Sequence, residues 1–168
     1  MKYKKALLYF VGVVALVACG PAQKAPQVEG NYTYEHAFNY DIDGNHFDVH
    51  ETGTMDFYAD GTALDSARQL YTVTLTDGDT VRWVYNYISP SRWRVEGDTF
   101  FFAGIKDGFR MEVIEGNETE LTQKIADTYS SGIDYEYVFH LDTLTADLLQ
   151  WSFTYPDGHS DTWQFYRK

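Results

Sequence analysis

Five Asp-Gly pairs punctuate this chain, at Asp43-Gly44, Asp60-Gly61, Asp77-Gly78, Asp107-Gly108 and Asp157-Gly158, and the first three are seventeen residues apart. The pair tolerates the positive φ of tight hairpin turns, so between segments of alternating character it is the strongest short-range hairpin signal. This spacing suits long antiparallel strands in up-and-down order. On the first, Tyr32, Tyr34, His36, Phe38, Tyr40 and Ile42 share one face, and Thr33, Glu35, Asn39 and Asp41 share the other. One face is dry and the other wet.

The second strand places Phe47, Val49, Glu51, Gly53, Met55 and Phe57 on the inner row, and the fourth places Val81, Trp83, Tyr85 and Tyr87 there, ending at Ser89-Pro90. Trp93 and Val95, then Phe101, Ala103 and Ile105, then Phe109, Met111 and Val113 continue the alternation across the Gly97-Asp98 and Asp107-Gly108 turns. At Asn117 the period changes. Asn117 with Glu120 reads as a capping box, and Leu121, Ile125 and Tyr129 follow at helical spacing, giving a short helix near 118–130; a strand is the alternative. Ile133 to Leu141, Leu148 to Tyr155 and Ser160 to Tyr166 are three further strands. Eight to ten strands in this order must hide their edges, and ring closure removes them. The expected fold is all-β, an up-and-down antiparallel β-barrel of 8–10 strands, with a two-sheet sandwich as the alternative.

The amino terminus has another character. Lys2, Lys4 and Lys5 precede an apolar run from Ala6 to Ala18, too short to span a bilayer but suited to a signal peptide. Its end, Leu16-Val17-Ala18-Cys19, resembles the lipobox of bacterial lipoproteins. The resemblance implies that residues 1–18 are a lipoprotein signal peptide and that Cys19 is lipidated, palmitate being one expected acyl group. Several acyl chains anchor far better than one. Residues 19–28 then read as a flexible tether and 29–168 as the domain. The expected location is the cell envelope, lipid-anchored, with the outer membrane facing the periplasm preferred because no aspartate follows Cys19. Cys19 is the sole cysteine, so no internal disulfide and no thiol nucleophile is available to the domain.

Without residues 1–18 the chain holds ten basic and twenty-five acidic residues, a formal charge of −15. Such a field repels phosphate backbones, so nucleic acid is not an expected partner; the membrane is, through Cys19.

With Gly30-Asn31-Tyr32 opening the first strand and Phe165-Tyr166-Arg167 ending the last, residues 28–168 resemble the lipocalin-like domains of Gram-negative lipoproteins. The wider group carries Gly-x-Trp on its first strand, with a basic residue packed across the indole; Tyr32 stands in the place of the tryptophan here. The resemblance implies a cup for one small hydrophobic or amphipathic molecule.

Aromatic residues make up 17% of the chain, with fourteen tyrosines, and buried phenols need partners. The interior is therefore either a partly wet cavity, with Tyr34, His36, Glu51, Tyr85, Tyr137 and Trp151 as candidate ligand-binding residues, or a solid aromatic core in a structural or protein-interaction lipoprotein. Glu51 is the odd member of its row. Burial of its carboxylate costs several kcal/mol unless it is paired or protonated, so it contacts His36 or an arginine, or else marks a bulge at Gly53.

His46, Asp48 and His50 share a strand face, but the two histidines are about 13 Å apart at strand rise, too far for one ion. Asp41-Ile42-Asp43-Gly44-Asn45 lacks the sixth-position glycine and twelfth-position glutamate of an EF-hand. His159-Ser160-Asp161 offers triad residue types whose neighbours point to opposite faces. With no Gly-rich phosphate loop, His-Glu-x-x-His or Gly-x-Ser-x-Gly, no cofactor and no enzymatic activity is expected; an enzyme here needs a carboxylate pair hidden from sequence. Replacing the lipobox cysteine, Cys19→Ala, is expected to abolish acylation and leave uncleaved or soluble precursor, which metabolic labelling with an acyl probe measures directly.

Overall fold

In the computed structural model, residues 27–133, 135–155 and 158–168 are described; the expected signal peptide, residues 1–18, and Cys19 lie outside them. The elements are β1 (Gly30–Ile42), β2 (Asn45–Phe57), β3 (Thr62–Thr74), β4 (Thr80–Glu96), β5 (Thr99–Gly104), β6 (Arg110–Glu115), α1 (Glu120–Gly132), β7 (Glu136–Leu144), β8 (Leu148–Thr154) and β9 (Ser160–Arg167). Pairing runs β3-β2-β1-β9-β8-β7-β5-β4 and returns from β4 to β3, so eight antiparallel strands close a barrel. The architecture is consistent with a lipocalin-like layout.

The turns account for much of this order. Asp43-Gly44 joins β1 to β2 as a two-residue turn with both φ values positive, 53° and 79°, while Ile42 pairs with Asn45. That is the turn whose twist matches its strands, and Asp and Gly bear its backbone cheaply. From there β1 and β2 pair without a register shift from Ile42–Asn45 to Gly30–Phe57. Alternation along both strands therefore faces the same interior.

Four expectations are corrected. Ser89-Pro90 does not end the fourth strand, which runs seventeen residues to Glu96. The Pro90 carbonyl accepts from the Ile105 N–H, so its nitrogen is turned to the same side, where the neighbour of β4 changes from β6, ending at Ile88–Arg110, to β5, starting at Ser91–Gly104. A missing donor leaves no ladder bond unmade there. Second, Asp107-Gly108 does not join a hairpin: β5 and β6 both run antiparallel to β4, one after the other, as a single strand broken by the 105–109 loop. Third, the inner residues of β5 are Phe100 and Phe102, not Phe101, Ala103 and Ile105. The two-residue Gly97-Asp98 turn pairs Glu96 with Thr99 and therefore inward-facing Val95 with Phe100; Phe101 goes outside, under the Arg94 guanidinium. A one-residue slip exchanges the faces.

Fourth, the helix is present but Thr119, not Asn117, caps it. The Thr119 hydroxyl accepts from the Thr122 N–H, and the Thr122 hydroxyl accepts from the Thr119 N–H. Leu121, Ile125 and Tyr129 pack onto Phe47, Tyr71 and Tyr85, so α1 stoppers one end of the barrel beside the free edge of β6. Lys124 holds Asp43 of the first turn at 2.5 Å.

The opposite end is closed by Arg167. Its guanidinium lies 5.0 Å from the centre of the Tyr32 ring, donates to the Tyr32 hydroxyl at 2.6 Å, and donates to the carbonyls of Gln27 and Glu29. Val28, placed in the tether by sequence, is buried, and its carbonyl accepts from the Tyr32 hydroxyl. Arg167→Ala is expected to cost about 2 to 4 kcal/mol through loss of the cation–π contact and charge-assisted bonds, with Arg167→Lys restoring less than half. Urea unfolding, read as a shift in midpoint at constant slope, measures both.

Candidate functional site

Along each of the first three strands, an interior position falls between two apolar clusters. Residues Phe47 and Val49 of β2 belong to the cluster under α1, Met55 and Phe57 to the cluster at the Arg167 end, and Glu51 lies between. On β3 the corresponding stretch supplies Asp65 and Gln69, and on β4 Tyr87. A polar layer thus crosses the barrel at mid-height, built by strand register: His36 pairs with Glu51, Glu51 with Gln69, and Ala67 with Tyr87.

Glu51 and Asp65 are 8% and 9% exposed, and two phenols link them. The Tyr34 hydroxyl lies 2.6 Å from Glu51 Oε1, 2.8 Å from Asp65 Oδ1 and 3.1 Å from the Tyr87 hydroxyl. The Tyr87 hydroxyl is 2.8 Å from Glu51 Oε1 and 2.8 Å from Asp65 Oδ2. Gln69 Nε2 donates to Glu51 Oε2 at 2.6 Å and also reaches the Tyr129 hydroxyl. Tyr34 fits because its cross-strand partner is Gly53, where a Cβ would come within 2.7 Å of the phenol. Gly53 is therefore a notch for a ring, and β1 and β2 pair through it without the bulge the sequence allowed. Among the described residues no arginine meets Glu51; phenols and an amide satisfy it.

Five oxygen–oxygen contacts join these four groups, and the two phenols supply only two protons. Burial, then the neighbouring Glu51, push the pKa of Asp65 from 3.8 up to about 7, which favours a further proton on this carboxyl. Burial likewise raises Tyr34 and Tyr87, so both phenols stay protonated. Burial lowers the pKa of His36, favouring neutral imidazole, and its Nε2 is buried without a hydrogen-bond partner among the described residues.

The layer forms the floor of a cavity of about 300 Å³. Tyr34, His36, Glu51 and Trp151 all line it, with Phe139, Trp163, Phe165 and Asp161. Two of the expected residues lie elsewhere. Tyr85 is one step nearer α1 and donates to the Thr122 carbonyl at 2.8 Å. Tyr137 is 44% exposed and lines a neighbouring cavity of about 360 Å³, which shares Asp65, Tyr87, Phe102 and Tyr129 with the first. That second space opens beside the end of α1, at Gly132 and Ile133.

The first cavity exists because the β1–β9 seam is short. Only Tyr32–Arg167, Thr33–Tyr166 and Tyr34–Phe165 pair, and beyond them the two strands are joined by side chains, the His36 and Trp163 rings lying 4.7 Å apart. Asp161 faces this fork and accepts from the Tyr155 hydroxyl at 2.9 Å, while Ser160 bonds Thr154.

Sequence reasoning missed Asp65, Gln69, Tyr129 and Asp161. On β3 the inner row contains Ala63, Asp65, Ala67 and Gln69, while Leu64 and Leu70 face outward, so hydrophobicity points the wrong way. Carrying register from Glu51 around the Asp60-Gly61 turn was the available signal. The His46 face is exposed, with Asp41 at 2.8 Å and Asp48 at 3.5 Å as partners. No group of three or more potential metal ligands gathers among the described residues.

No protein-family model matches this sequence, nor does any curated protein.

The raised Asp65 pKa has a defined sign. A carboxyl that binds its proton more tightly when folded adds stability at acid pH, and this is lost as pH climbs from about 4 to about 7. His36 acts oppositely, since a lowered pKa makes its protonation below about 6.5 destabilising. Asp65→Asn keeps the shape of the neutral acid and removes the first effect. Its thermal midpoint is expected to fall less than that of the wild type between about pH 5 and pH 8; calorimetry of both proteins gives the difference.

Proposed function

We propose that this chain is a lipid-anchored lipoprotein of the bacterial envelope whose lipocalin-like barrel binds a small hydrophobic or amphipathic molecule. The observation that carries the reading is the cavity of about 300 Å³, walled by aromatic side chains over a polar floor. Its size is at the low end for ligand sites, and an apolar wall with a few convergent polar groups is their usual composition. An interior serving only to fill a barrel has no need of a buried acid pair, which costs more than Leu or Val in the same place.

Binding is favoured over catalysis by the same geometry. Tyr34 and Tyr87 occupy the space between the two acids at 2.6 to 2.8 Å, so no scissile bond fits between them. The anchored address rests on the lipobox and would hold the barrel near a membrane, where amphipathic molecules concentrate.

Native mass spectrometry of the mature protein released from membranes tests the reading. A co-purifying small molecule, or a rise in thermal midpoint with compact one- and two-ring amphipathic molecules that Trp151→Ala diminishes, is the expected result. Repeated emptiness with no such shift would overturn it in favour of a structural or protein-interaction lipoprotein.

A further inference from the structure

The floor of the cavity is chemically one-sided. Glu51, Asp65 and Asp161 line it, and no lysine or arginine does among the described residues. Its acids and phenols meet at hydrogen-bond distance: the Tyr34 and Tyr87 hydroxyls lie on Glu51 and Asp65, and the Tyr155 hydroxyl donates to Asp161. What the lining still offers is acceptor capacity. Each carboxylate oxygen has two lone-pair sites, and neutral His36, when its proton is on Nδ1, adds a buried Nε2 without a partner among the described residues. Around these acceptors stand Phe139, Trp151, Trp163 and Phe165, rings whose negative faces attract cations.

A neutral apolar ligand would leave these acceptors without a donor, and an anion would add a further negative group to a desolvated site. A donor with positive charge does neither. It donates hydrogen bonds to the acids and favours their ionised form. We infer that the cavity takes an organic cation, a compact amine whose ammonium group sits at the Glu51–Asp65 pair, with Asp161 adding negative charge to the same lining, and whose body lies against the aromatic wall. This rests on the reading of the cavity as a ligand site and names the class of ligand. The space equals roughly ten waters at about 30 Å³ each, so a monocyclic or bicyclic amine fits where a long acyl chain does not.

Three probes of one ring and different charge separate the possibilities: tryptamine, 3-ethylindole and indole-3-propionate, titrated by calorimetry into the mature protein in lipid nanodiscs against empty nanodiscs. Tryptamine is expected to bind about tenfold or more tightly than 3-ethylindole, with indole-3-propionate weakest. Glu51→Gln should erase most of that preference and Asp161→Asn a smaller part of it, with circular dichroism and the thermal midpoint of each variant reporting an intact barrel. Equal binding of the three, or tightest binding of the neutral probe, overturns the cation and leaves the cavity reading standing. A tryptamine preference that survives both variants places the cation on the acidic exterior and overturns the inference. Absence of binding by all three overturns the inference together with the cavity reading.

Discussion

A sheet of this length is tolerable in water only because it closes, and it closes through three residue pairs. Tyr32, Thr33 and Tyr34 meet Arg167, Tyr166 and Phe165; past them β1 and β9 diverge, and the free edge of β6 lies beside α1. Arg167 reinforces this seam by reaching across it to Tyr32 and to the carbonyls of Gln27 and Glu29. The shortness of the seam matters as much as its strength. Where β1 and β9 diverge, no backbone fills the wall, and the cavity opens between His36 and Asp161. One constraint thus produces both the barrel and its vacancy.

The interior is layered rather than uniform. Apolar clusters at the Arg167 end and under α1 provide the burial, and the polar layer between them holds the two acids at fixed positions. Each phenol of that layer touches both acids, so moving any one of the four groups disturbs the others. Such a network confers definition on a core at the expense of stability, because each unmet partner in a low-dielectric interior is costly. Gly53 makes room for it at the level of the backbone.

The strand order was legible because turns and alternation agreed: Asp-Gly pairs set the hairpins, and the inner rows of β1, β2 and the first half of β4 read directly from hydrophobicity. Glu51 was legible as an anomaly, and Tyr34, His36 and Trp151 as its companions. Phe101 was misplaced because three consecutive phenylalanines carry no alternation, and only the length of the Gly97-Asp98 turn decides which of them face inward. Asp65 and Gln69 were hidden because β3 turns leucines outward and small or polar residues inward, the inverse of the usual pattern. Pro90 and Asp107-Gly108 misled for a related reason. Both are breaks in long paired strands, and local chemistry cannot distinguish a break from an end.

The seam also fixes a sequence of events. The Arg167 side chain bonds a carbonyl 140 positions earlier in the chain, and Thr33 reaches across to the carbonyl of Tyr166, 133 positions later. Pairing of that separation forms late and slowly. Until β9 has arrived, β1 is an uncovered edge, complementary in pattern to any other free strand. The interval between emergence of β1 and arrival of β9 is therefore the period in which this chain is most exposed to pairing with another copy of itself.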